Sequence, residues 1–109
     1  MSRTAAVVGA GIGGLAAAAL LARSGRRVTV FEQAPQAGGK AASVRLGGFR
    51  FDTGPSLLTL PEVFRRFFAR LDRNLDDYLE PLPLAPLCAY DFADGTRLVD
   101  EEQFGPVLP

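Results

Sequence analysis

The 109-residue chain has no histidine, one cysteine (Cys88) and one lysine (Lys40). Without histidine the commonest general base is missing, and neither a Ser/His nor a Cys/His nucleophile pair can be assembled. A lone cysteine permits no intrachain disulfide and no cysteine metal cluster. Hydrolytic and zinc chemistry are thereby set aside. Neither sign of charge is in excess, twelve Lys+Arg standing against twelve Asp+Glu, so the basic surplus of a nucleic-acid-binding chain is absent. Apolar residues make up 48% and charged residues 22%, which is the composition of one small folded domain rather than a disordered segment.

The neutral total conceals a division. Residues 1–50 carry seven cations against Glu32 alone, and residues 51–109 carry five against eleven anions. Either the first half suits an anionic ligand such as a dinucleotide, or exposed charges fell unevenly. No residue between Arg3 and Arg23 is charged, so a targeting segment has to be weighed. Gly9, Gly11, Gly13 and Gly14 interrupt that stretch, a β-like run precedes them and a helix-like run follows. A signal sequence has no need of that order, and the segment reads as folded structure.

Thr4–Val8 reads as a short buried strand that runs into the glycines. Ile12–Ser24 reads as a helix with Leu15, Ala18, Ala19 and Ala22 on its packed face, stopped by Gly25. Val28–Phe31 is a second strand, and the crossover between the two predicts a right-handed parallel β-α-β unit. Runs 42–46 and 49–52 flank Gly47-Gly48 as a hairpin. Thr59–Glu62 has the form of a capping box. Leu60, Val63, Phe64, Phe67, Phe68 and Leu71 then follow at helical spacing, an aromatic stripe suited to core or interface packing. Pro81, Pro83 and Pro86 mark an irregular connector, and runs 87–92 and 96–99 read as strands around Asp94-Gly95.

Gly9-Ala10-Gly11-Ile12-Gly13-Gly14 satisfies G-x-G-x-x-G between a strand and a helix. Gly9 permits the tight turn, Gly11 lets backbone approach a pyrophosphate, and Gly14 lets the helix pack closely on the strand. The helix N-terminus adds partial positive charge. Glu32 lies eighteen positions after Gly14 at the end of the second strand, where a carboxylate can accept from adenosine ribose hydroxyls. Gln33 follows it, so a 2′-phosphate would meet the acid without a counter-charge. Up to this point NAD and FAD fit equally well.

The segment Pro35-Gln36-Ala37-Gly38-Gly39-Lys40, followed by Gly48-Phe49-Arg50-Phe51-Asp52-Thr53-Gly54-Pro55-Ser56, resembles the flavin-dependent amine-oxidase-like superfamily. Within it the chain most resembles the bacterial phytoene and carotenoid desaturases, over residues 4–98. The resemblance implies FAD as cofactor, with Gly9, Gly11, Ile12, Gly13 and Gly14 at the pyrophosphate and Glu32 on the ribose. It assigns Gly38, Gly39 and Lys40 to a second flavin motif, and Gly54, Pro55 and Ser56 to a stretch close to the isoalloxazine ring. Taken alone, Lys40 and Arg45 would be surface charges and Asp52 a turn residue.

Members of that family remove hydrogen from carbon–carbon single bonds of long isoprenoids, with the flavin accepting hydride. A carotenoid or other isoprenoid substrate is therefore implied, with a cytoplasmic location peripheral to the inner face of the membrane. The chain offers no acid/base dyad, and no catalytic residue is assigned. An amine-oxidase-like or protoporphyrinogen-oxidase-like flavoenzyme is the nearest enzymatic alternative. The expected organisation is α/β: a Rossmann-like β-α-β unit followed by a hairpin and a helix, the N-terminal part of a larger FAD-binding fold. Residues 1–98 belong to it, and 99–109 read as a divergent tail. Two parallel strands are fewer than independent stability normally needs. The non-enzymatic expectation is thus an inactive dinucleotide-binding fragment, one that self-associates or is completed by a second chain.

Overall fold

A computed structural model describes residues 3–100, which form two units, one running to Leu79 and the other starting at Glu80. In the first, β1 (Thr4–Val8) and β2 (Arg27–Phe31) pair in parallel, from Thr4 against Arg27 to Val8 against Phe31. α1 (Ile12–Arg23) makes the crossover. The β-α-β unit expected from the sequence is present, with one more residue at the start of β2. The covered stripe of α1 runs through Gly14, Ala18 and Leu21, while Leu15 and Ala22 are exposed. Of the face read off the sequence, Ala18 and Ala19 are covered, and Leu15 and Ala22 are not. A β-carbon at Gly14 would lie 3.6 Å from the Val7 side chain.

β3 (Ser43–Leu46) and β4 (Phe49–Asp52) form the expected hairpin, with Val44 opposite Phe51 and Arg45 opposite Arg50. Gly47 and Gly48 both have positive φ, as a two-residue hairpin turn of the primed type requires. α2 (Pro61–Arg70) begins with proline in its first turn, where a missing N–H costs nothing. The capping box does not form. Leu60 is the N-cap and no side chain caps the helix; with Thr59 one residue outside the cap, its hydroxyl is out of position. Phe64, Phe67 and Phe68 are half-buried, and the Phe68 ring packs between Phe67 (6.0 Å) and Tyr78 (5.4 Å). Ala10, Ala18 and Leu75 are the buried apolar residues among those described. So small a core leaves much of the order to local hydrogen bonding.

In the second unit, β5 (Cys88–Asp91) pairs antiparallel with β6 (Arg97–Asp100), Tyr90 standing opposite Leu98. The Asp94 carboxylate accepts from the Thr96 N–H at 2.9 Å and fixes the turn, and that bond holds its carboxyl below the usual range. Of the expected tail, Val99 and Asp100 lie in β6, and residues 101–109 fall outside the described part.

Both helices of the first unit stop in the same way. After α1, Gly25 donates to the Ala22 carbonyl (2.9 Å) and Arg26 to that of Leu21 (3.2 Å). After α2, Asp72 donates to Ala69 and Arg73 to Phe68, both at 3.0 Å. These are Schellman motifs, whose pivot residue takes the left-handed conformation. Gly25 does so at φ 82° and Asp72, less comfortably, at φ 53°. The Asp72 carboxylate also pairs with Arg23 at the end of α1, both side chains being exposed. Left-handed backbone costs a β-carbon-bearing residue roughly 1–2 kcal/mol, against about 0.2–1 kcal/mol from an exposed ion pair. Asp72→Gly should therefore leave unfolding stability within about 0.5 kcal/mol, relief of strain offsetting loss of the pair. Asp72→Val should lower it by about 2 kcal/mol, because a β-branched residue fits that conformation worst. Urea unfolding of the three proteins checks the order.

Candidate functional site

The glycine loop joins the C-terminal end of β1 to the N-terminal end of α1. Gly9 extends the ladder by donating to the Phe31 carbonyl at 2.7 Å, and Gly11 is the N-cap of α1, in extended backbone with no side-chain cap. The Leu15 N–H returns to the Gly11 carbonyl at 2.9 Å. The earlier N–H groups of the helix, on Ile12, Gly13 and Gly14, consequently have no intrahelical acceptor. They stand at the positive end of the helix dipole. A β-carbon placed on Gly11 or Gly13 would meet no protein atom within 4 Å, so space is clear in front of those donors. The donor set and the clearance fit an anionic group such as a pyrophosphate. At Gly14 the situation is reversed: a β-carbon there would overlap the Gly9 carbonyl oxygen. Its glycine closes the loop on itself, while the Val7 side chain of the strand would stand at ordinary contact distance from such a β-carbon.

Glu32 directly follows β2. Its Oε2 accepts from the Ala10 N–H at 2.7 Å and its Oε1 from the Ala34 N–H at 2.8 Å. The Ala34 bond, then that of Ala10, holds the carboxyl below its ordinary range, since both bonds favour the ionised form. Each carboxylate oxygen has a second lone pair, so acceptance from ribose hydroxyls remains open at this position.

The second glycine motif comes back to the first. Gly38 donates to the Ala10 carbonyl at 2.8 Å, and Gly11 and Gly38 form an isolated parallel bridge. A β-carbon on Gly39 would lie 3.1 Å from the Gly11 Cα. Gly39, Lys40 and Ala41 form a short 3-10 turn. Behind it, the Thr53 N–H (3.0 Å) and hydroxyl (2.8 Å) both donate to the Ala42 carbonyl, and a β-carbon on Gly54 would overlap the Lys40 carbonyl. Gly9–Gly14, Gly38–Lys40 and Gly54 are thus joined in one series of backbone contacts, to which Glu32 is tied by its carboxylate through Ala10. Pro55 and Ser56 follow on exposed, irregular chain, and Ile12 is 54% exposed at the start of α1. Lys40 is exposed and joins no ion pair among the described residues. Asp52 pairs with Arg50 at 3.4 Å.

Ala10, Ala34 and Ala42 also belong to this arrangement, through backbone groups that residue identity does not advertise, and Thr53 through both its N–H and its hydroxyl. The pairing of Gly38 and Gly39 with an earlier G-x-G was the available clue that two backbones meet there. Because the folded Glu32 pKa lies below the unfolded one, its contribution to stability is complete above the unfolded value. It is lost as pH falls through the folded value. Urea unfolding followed from about pH 7 into the acid range should show the parent losing more stability than Glu32→Gln. Equal losses would mean that the two amide bonds do not favour the charged form.

The sequence is similar to that of the phytoene dehydrogenase of Streptomyces griseus, 49% identical over 92 residues, covering 84% of this chain and 18% of that protein. It is 41% identical over 93 residues to the phytoene desaturase (neurosporene-forming) of Rhodobacter capsulatus, covering 85% of this chain and 18% of the relative. The carotenoid 3,4-desaturase of Haloarcula japonica is 45% identical over 92 residues, 84% of this chain and 19% of its own. The chain thus spans about a fifth of the length of these relatives. Residues 7–71 match the NAD(P)-binding Rossmann-like domain, the stretch that holds the glycine loop, Glu32 and the second motif. With that match and the parallel β-α-β geometry in place, the chain belongs to the NAD(P)-binding Rossmann-like domain family.

Proposed function

We propose that residues 4–56 form the adenosine and pyrophosphate end of an FAD site in an oxidoreductase of the phytoene and carotenoid desaturase type. One observation carries the reading: the chain beyond β2 returns to the glycine loop and seats Gly38 and Gly39 against Ala10 and Gly11. A dinucleotide site of the simple dehydrogenase kind asks only for β-α-β and the acid. The returning glycine pair and its cation match the second flavin motif. The sequence similarity to phytoene dehydrogenase and the desaturases supports the same assignment.

FAD, when bound, supplies a two-electron acceptor for hydrogen removed from a carbon–carbon single bond. The residues of this chain bind and orient. N–H groups at the start of α1 receive the pyrophosphate, Glu32 accepts from the ribose hydroxyls, and Lys40 supplies positive charge beside the phosphates. Gly54, Pro55 and Ser56 lead toward the ring. The substrate is a carotenoid or related isoprenoid, met at the inner face of the cell membrane, on which the cytoplasmic enzyme sits peripherally. No helix among the described residues is long and apolar enough to cross a membrane. In this reading the 109 residues alone hold the dinucleotide without desaturating a carotenoid, because a long apolar chain needs a deep dry cavity and no such cavity is found among the described residues.

Titration of the chain with FAD and NAD separately should show tighter binding of FAD. Tighter binding of NAD would overturn the flavin assignment. Gly11→Ala separates ligand contact from folding, because its added methyl enters the clear space before α1 and touches no protein atom. We expect unfolding stability to change by less than about 1 kcal/mol while dinucleotide binding is lost. Unchanged binding would reduce the glycine loop to a structural turn.

A further inference from the structure

Ala10 is held from two sides. It is 3% exposed; its N–H donates to Glu32 Oε2 at 2.7 Å, and its carbonyl accepts from Gly38 at 2.8 Å. Neighbouring Gly9 is tied separately, to the Phe31 carbonyl. Glu32 is itself anchored by the Ala34 N–H at 2.8 Å, so its carboxylate spans from the chain after β2 to the middle of G-x-G. Take the carboxylate away and the Ala10 N–H is left at a buried position without its acceptor, an unfavourable state that the loop relieves by moving. Any such movement carries Gly11 and Gly38 with it, because both are joined to the same residue.

We propose that Glu32 is a positioning residue for the phosphate cradle itself, holding Gly9–Gly14 and Gly38 in register through Ala10, separately from any contact it makes with a ribose. The proposal rests on reading the glycine loop as a phosphate site. It answers a physical puzzle, since a negative charge beside an anion-binding loop opposes the anion by Coulomb's law. The carboxylate is useful there if the bonds it makes to backbone shape the cradle by more than its charge repels the ligand.

The two roles predict opposite signs for a ligand that has phosphates and no ribose. Inorganic pyrophosphate is titrated into the 109-residue chain and into Glu32→Ala, with amide shifts followed by NMR. Positioning predicts binding about tenfold weaker in Glu32→Ala, the scale of one lost hydrogen bond to a charged group. A ribose contact alone predicts equal or tighter binding, because only a repelling charge has gone; that result overturns the proposal. Amide exchange shows that the variant is folded: Gly9 should keep its protection while Ala10 loses it. If Gly9 protection is lost as well, the parent decides, because its Ala10 and Ala34 amide shifts should follow one common carboxyl titration. An Ala10 amide that ignores the titration overturns the proposal without any variant. Failure of the parent to bind pyrophosphate is a separate outcome, which removes the phosphate reading and this inference with it.

Discussion

Backbone packed directly on backbone, at two places where no β-carbon can stand and a third where one would be crowded, is the constraint on which the first unit depends. A side chain at Gly14 would strike the Gly9 carbonyl, one at Gly39 would crowd the Gly11 Cα, and one at Gly54 would strike the Lys40 carbonyl. These contacts run in series. The first closes the loop between β1 and α1, the second lays the chain after β2 on that loop, and the third lays the end of the hairpin on the second. With few buried side chains available, order comes from peptide groups that are both close and hydrogen-bonded. The same closeness leaves the helix N-terminus bare and its donors free for a ligand.

Glu32 joins this backbone lattice to electrostatics. Its two bonds go to main-chain N–H groups on either side of the strand end, so the ionisation of one carboxylate and the path of the glycine loop are tied together. The four exposed ion pairs among the described residues of the first unit matter less, since side chains open to solvent gain little from pairing.

Much of this was legible in the sequence where a pattern has a single physical cause. Alternation of strand, glycines, helix and strand gave the β-α-β unit, and Gly47-Gly48 between apolar runs gave the hairpin. What could not be read was decided by contact between distant peptides. The packed stripe of α1 keeps Ala18 and Ala19 of the expected face, while Leu15 and Ala22 are exposed and Gly14 and Leu21 are covered instead. Thr59 does not cap α2, since Leu60 is the residue at the helix boundary. Ala10 gave no sign of its position at the junction, because alanine is unremarkable and only its N–H and carbonyl take part. The fingerprint residues were found by motif, while the bonds connecting them depended on a fold that brings Gly38 back to Ala10.

The hairpin carries an asymmetry that bears on behaviour in different ionic surroundings. Arg45 and Arg50 stand directly opposite each other across β3 and β4, and like charges in that register repel. Arg23 with Asp72, and Arg65 with Glu62 and Asp76, attract. Dissolved salt screens both kinds of interaction. Rising ionic strength therefore loosens the pairs made by the helices, while in the hairpin it weakens the Arg50–Asp52 attraction and the Arg45–Arg50 repulsion together, so the hairpin carries its own compensation for a change of solvent.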